Sequence, residues 1–115
     1  MTPQHFIKNI EFSKVLKLDS LVDYEEGTVV SRTLSQAKSQ SMTLFAFDKG
    51  EGMSSHSSSG DALVYILDGE TEITIAEQKF NLKKGETIAM PSGKPHALLA
   101  TERFKMLLFV IFKSS

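Results

Sequence analysis

There is no cysteine in this sequence, so a disulfide staple, a thiol nucleophile and a thiolate metal ligand are all excluded. Any metal site must draw on histidine, carboxylates or amides, and histidine occurs only three times. An excess of one charge is also missing, since 13 Lys and Arg stand against 14 Asp and Glu for a net charge of −1. The signs are interleaved, as in "DGETE" and "LKKGE", so no basic stripe offers contacts to a phosphate backbone or an anionic bilayer. Nucleic acid and membrane are therefore not expected partners. Long hydrophobic runs are absent too. The longest, "ALVYIL" and "MLLFVIF", are far too short to cross a bilayer, and "MTPQHFIKNIEF" carries no continuous apolar stretch. The expectation is a soluble cytoplasmic protein. No Gly-rich phosphate loop, Ser-His-Asp order or paired-carboxylate signature is present.

What is there is a chain of short β-type runs. From about Gly27 they read "TVVSRTL", "MTLFAF", "ALVYIL", "TEITIA", "KFNL", "ETIAM", "HALLA" and "FKMLLFVIF", separated by Gly, Ser, Lys or Pro. Without helical patterns between them, they predict an all-β sandwich or barrel over residues 27–115. At 115 residues the chain suits one domain, with roughly two-thirds of its unfolded surface open to burial. Residues 1–26 read as an N-terminal arm packing on the barrel or on a partner subunit, with a helical turn in "DSLVDYEE".

Local chemistry sets the turns. Asp68-Gly69 predicts a two-residue hairpin between "ALVYIL" and "TEITIA", because Asp-Gly tolerates positive φ at both positions. "IAEQKF" predicts a second tight hairpin, and Gly85 a turn before "ETIAM". Pro91, Gly93 and Pro95 in "PSGKPH" alternately fix and free φ, a rigid corner presenting His96. Alternation sorts the faces. Thr71, Ile73 and Ile75 oppose Glu70, Glu72 and Thr74, a strand with one wet face. By contrast Ala62, Val64 and Ile66 oppose Leu63, Tyr65 and Leu67, and Met106, Leu108 and Val110 oppose Leu107, Phe109 and Ile111. Strands that are apolar on both sides need an outer cover, so a homodimer is expected.

Two turns hold the remaining chemistry: "GEGMSSHSSSGD", read as a Gly/Ser loop carrying His56, and the "PSGKPH" corner carrying His96. Gly50 is followed after five residues by His56, and Gly69 closes that segment; Gly85, Pro91, Gly93 and His96 follow in the second. This spacing resembles the paired motifs of the cupin superfamily. The resemblance implies a double-stranded β-helix, or jelly-roll barrel, and runs from "MTLFAF" to the end of the chain. Metal-binding cupins hold a divalent ion of the Mn, Fe, Ni, Cu or Zn kind with three His and one Glu or Gln. Here the second-His, Glu and Asn positions are Ser58, Ala62 and Ala100, so the implied metal ligands reduce to His56 and His96.

Two imidazoles alone need help, because a catalytic zinc or iron centre ordinarily has three protein ligands. Asp61 is the nearest carboxylate, but on a regular strand it points away from the face of Ala62 unless a bulge turns it. Glu51, Gln40 and Ser58 are further candidates. Two functions follow. One is a binding module for a small molecule, with His56, Ser58 and His96 as polar contacts and Ala62 and Val64 as apolar wall. The other is a metal-dependent enzyme of the dioxygenase, isomerase or decarboxylase type found among cupins, using His56 and His96. Both histidines also have a plain reading as hydrogen-bonded pocket residues. His5 is expected to be exposed; Met42, Met53, Met90, Met106, Phe45, Phe47, Phe109 and Phe112 are expected in the core or lining it.

Overall fold

In the computed structural model, which describes residues 4–113, eight strands account for almost all regular structure. They are β1 (Val29–Gln36), β2 (Gln40–Phe47), β3 (Gly52–His56), β4 (Gly60–Ile75), β5 (Gln78–Lys83), β6 (Thr87–Met90), β7 (His96–Leu99) and β8 (Phe104–Phe112). The strand order is β1-β2-β8-β4-β7-β3, with β5 and β6 also paired to β4, and every pairing is antiparallel. The first half of β4 pairs with β8 and β6, and its second half with β5 and β7. One strand therefore stitches two sheets into a jelly roll. Between them lies the core of Phe47, Val64, Ile66, Ile73, Phe104 and Met106, all fully buried, with Phe47 and Phe104 stacked at 4.5 Å.

The hairpin expected at Asp68-Gly69 does not form. β4 runs straight through it, with Leu67 as an extra residue between the Ile66↔Met106 and Asp68↔Lys105 pairs. Gly69 has φ +75, and a Cβ there would stand 1.7 Å from the Arg103 carbonyl oxygen. Its glycine serves a bulge and a close backbone approach rather than a reversal. The β5–β6 turn takes up the freed backbone groups of the bend: Lys84 N–H donates to Gly69 O, Gly85 N–H to Ile66 O, and Ile66 N–H to Glu86 O. The other two expected turns are present. Ala76 (φ 55) and Glu77 join β4 to β5 with Ile75 opposite Gln78, and Gly85 (φ 88) lies between β5 and β6.

A second correction concerns "GMSSH". Read as loop, it is strand β3 with His56 as its last residue. No apolar alternation marks it, because it is mostly exposed and held by backbone pairing to β7, with an irregularity between Met53 and His56.

Residues 4–26 contain a 3-10 turn, Leu18–Leu21, which starts one residue before "DSLVDYEE" and overlaps its first three residues. Lys8 N–H donates to Leu34 O, Asn9 Nδ2 to Thr33 O, and Arg32 reaches back to the carbonyls of Asn9 and Leu21. Beneath this segment Val22, Leu34, Leu44 and Ala46 form a second buried cluster, flanked by Leu67 and Leu107. Tyr24 O–H donates to Asp68 at 2.6 Å, and its ring lies under Arg103 and Lys105. The outer face of β2, β8 and β4 is thus covered over part of its length, while Leu63, Tyr65 and Ile111 stay exposed. Among the described residues no helix is long and apolar enough to cross a membrane.

Candidate functional site

His56 ends β3, His96 begins β7, and the two face each other in the β3–β7 register. Their ring centroids are 4.5 Å apart at 66°, edge to face. Three local devices bring them together. Gly93 N–H donates to Ser58 O at 2.9 Å, tying the proline corner to the loop after β3. Ser92 N–H donates to Asp61 Oδ1 at 2.8 Å, fixing the same corner to the start of β4. Ala76 N–H donates to Pro95 O at 2.8 Å, docking the β4–β5 turn against the residue before His96.

The two imidazoles live in different surroundings. His56 is exposed, and its Nδ1 stands 2.9 Å from Ser54 O. A carbonyl can only accept, so Nδ1 carries the proton and Nε2 is left as an acceptor when the ring is neutral. His96 is only 5% exposed, between Ile75 of β4 and His56 of β3, and among the described residues its buried Nδ1 has no well-formed hydrogen bond, the Lys94 backbone offering only a weak one. Burial, and secondarily the neighbouring His56, hold His96 below the ordinary imidazole pKa; the Lys94 backbone opposes this more weakly. The pair is one wet and one dry imidazole in contact, and the dry one favours its neutral form.

The other expected site residues divide. Ala62 and Val64 are buried on the inward face of β4, with Ala62 opposite Met90. Ser58 lies in the loop after β3, its carbonyl accepting from Gly93 N–H and its Oγ accepting from Gly60 N–H at 3.1 Å. Asp61 does not turn inward: it is exposed and engaged by Ser92, so it caps the corner. Glu51 pairs through its backbone with Ala100, and Gln40 lies at the start of β2 beside the arm. His5 is exposed, its ring 4.1 Å from Phe12. Ile75, beside His96, is a wall residue that was not singled out, although the Thr71-Ile73-Ile75 alternation pointed inward. Among the described residues no three His, Cys, Asp or Glu come together as a metal site. The donor set therefore fits a two-imidazole contact and not a centre with three protein ligands.

A two-sheet jelly roll with a histidine at the end of one strand and another after a Pro-x-Gly corner defines the small β-barrel class. The chain belongs to the cupin family: the family model described as "Cupin domain" matches residues 43–112. It is similar over 99% of its length, at 45% identity and a TM-score of 0.97, to the whole of a conserved protein of unknown function from Streptococcus pyogenes. A cupin superfamily protein from Desulfitobacterium hafniense is 36% identical with a TM-score of 0.89, covering 93% of this chain and 98% of that one. A cupin 2 conserved barrel domain protein from Leptotrichia buccalis is 42% identical with a TM-score of 0.82; the match covers 84% of this chain and 47% of that protein. No curated protein matches the sequence.

Proposed function

We propose that this cupin is a binding module that takes a small, partly apolar molecule at the end of its barrel, with His96 and His56 as the polar contact. The observation that carries the reading is the buried Nδ1 of His96, without a well-formed hydrogen bond among the described residues, on a ring in contact with a second imidazole. Leaving such a group unpaired costs about 1–3 kcal/mol, which a ligand hydroxyl or carboxylate would recover. In this reading Ser58, whose Oγ accepts from Gly60 N–H, would add a hydroxyl, and the buried Ala62 and Val64 would supply the apolar wall. The contact of two imidazoles also favours a second reading, a metal-assisted enzyme of the dioxygenase, isomerase or decarboxylase type. In that reading His56 and His96 would be the two protein donors to a Mn, Fe, Ni, Cu or Zn ion, which would supply Lewis-acid chemistry.

Thermal shift against a panel of hydroxylated and carboxylic metabolites, with elemental analysis of the same tag-free protein, separates the readings. Binding gives a rise of several degrees for some panel member in metal-free protein, lost in His96→Ala. A flat response across the panel removes the proposal. Near-stoichiometric metal that disappears in the His56→Ala, His96→Ala double variant moves the assignment to the second reading.

A further inference from the structure

A second pocket lies on the other sheet from the histidine pair, since β1 and β2 belong to one sheet and β3 and β7 to the other. Where the arm crosses the end of β1, a groove of about 330 Å³ opens between His5, Phe6 and Lys8 of the arm and Ser35, Gln36 and Gln40 of the β1–β2 hairpin. That volume is at the lower end of the range for small-molecule sites, roughly 300–1,000 Å³. A bulge builds the floor. The β1–β2 register slips between Thr33 and Ser35, so Leu34 has no partner on β2. Leu34 packs beneath the arm, its carbonyl accepts from Lys8 N–H at 2.8 Å, and the adjacent Ser35 is only 6% exposed. Both walls are held by the fold. Asn9 Nδ2 donates to Thr33 O and Arg32 Nε to Asn9 O on the arm side, where the His5 ring also rests against Phe12. On the hairpin side Ala37 N–H donates to Gln40 O and Phe112 N–H to Ser39 O. A groove held this way loses little freedom when it is filled.

None of the lining residues is acidic. Lys8 brings a full positive charge and forms no ion pair among the described residues. Ser35 adds a hydroxyl and Gln36 and Gln40 add amides, all able to donate. Among the described residues none of these three side chains has a hydrogen-bond partner. An unpaired hydroxyl on so buried a residue as Ser35 is costly unless something else satisfies it. Phe6, 78% exposed, brings an aromatic ring to the same groove. One lysine among neutral donors matches a single carboxylate better than a phosphate dianion, and the ring beside it favours a ligand with an apolar skeleton.

We propose that this groove is a second binding site, for a small monocarboxylate with an apolar skeleton. The carboxylate is taken by Lys8 and the hairpin donors, and the skeleton by Phe6. The site shares no residue with the His56–His96 pair, so it stands or falls separately from the barrel-end reading.

Benzoate titrated into the isotope-labelled full chain, followed by two-dimensional amide NMR, tests this directly. Saturable shifts are expected at Ser35, Gln36, Ala37 and Gln40 and at the side-chain amides of the two glutamines. Lys8→Gln is expected to weaken benzoate about tenfold, the loss of one charge-assisted contact, while Lys79→Gln on β5 leaves the affinity unchanged. Inorganic phosphate at the same concentrations is expected to give no saturable shift. No saturation by tens of millimolar benzoate overturns the proposal, as do shifts centred on His56 and His96 or an affinity that Lys8→Gln leaves intact. Phosphate that binds as tightly as benzoate also overturns it, because the groove then takes any anion. Should Lys8→Gln undock the arm, visible as widespread shifts before any benzoate is added, Gln36→Glu sets a like charge against the carboxylate from the hairpin side. It is expected to weaken benzoate by a similar factor, and an unchanged affinity there overturns the proposal.

Discussion

His96 is held neutral by its surroundings, and that has a sign. Its folded pKa lies below the ordinary 6.5, with burial as the main cause and His56 as the second. A histidine of this kind stabilises the fold fully above pH 6.5, and the contribution is lost as pH falls through 6.5 toward the folded value, because the unfolded chain takes up the proton first. The melting temperature is therefore expected to fall more steeply between about pH 7.5 and 5.5 in wild type than in His96→Gln. An NMR titration should place the His96 midpoint below 6.5 and move it upward in His56→Ala. A midpoint at or above 6.5 in wild type contradicts this account. The pairing of the two histidines was legible in the sequence only through the resemblance of the Gly50, His56, Gly85, Pro91 and His96 spacing to the cupin motifs. The asymmetry between them was not, since it depends on β4 and β3 flanking β7 and leaving Nδ1 without a well-formed hydrogen bond among the described residues.

At the scale of elements, the two misread stretches share a cause. Asp68-Gly69 and Ser54-Ser55-His56 have turn-like composition, yet both lie within strands because neighbouring backbones claim them. Nothing local to "LDGE" says that Arg103 passes within van der Waals reach of Gly69. That contact makes a paired test. Gly85→Ala places a Cβ in open space at φ +88 and is expected to cost about 1 kcal/mol for the left-handed backbone alone. Gly69→Ala meets the same penalty plus a collision with the Arg103 and Phe104 backbone, so a loss above ~3 kcal/mol is expected. Urea midpoints compare the two. Equal losses would mean that β4 and β8 separate at the bulge without consequence.

For the whole molecule, the all-β barrel was legible because its short β-type runs are punctuated by Gly, Ser, Lys or Pro with no helical pattern between them. The order in which it closes follows from topology instead. β4 belongs to both sheets, and its pairing with β8 joins Gly60 to Phe112, so neither sheet is complete until distant segments of the chain meet. Loop-closure entropy comes before those contacts contribute, which places folding in the millisecond-to-second range. The β4–β8 pairing is then the step that other elements await. Val64→Ala, fully buried on β4, is expected to cost about 2 kcal/mol and to slow refolding roughly 5–10-fold. Leu34→Ala acts differently. Leu34 is buried under residues 4–26 on the outer face, which dock onto a sheet already formed. Its loss should appear mainly as faster unfolding, with refolding slowed by about three-fold or less. Stopped-flow chevrons on both variants decide the order. If Leu34→Ala slows refolding as much as Val64→Ala does, the arm belongs to the folding nucleus and the barrel does not close first.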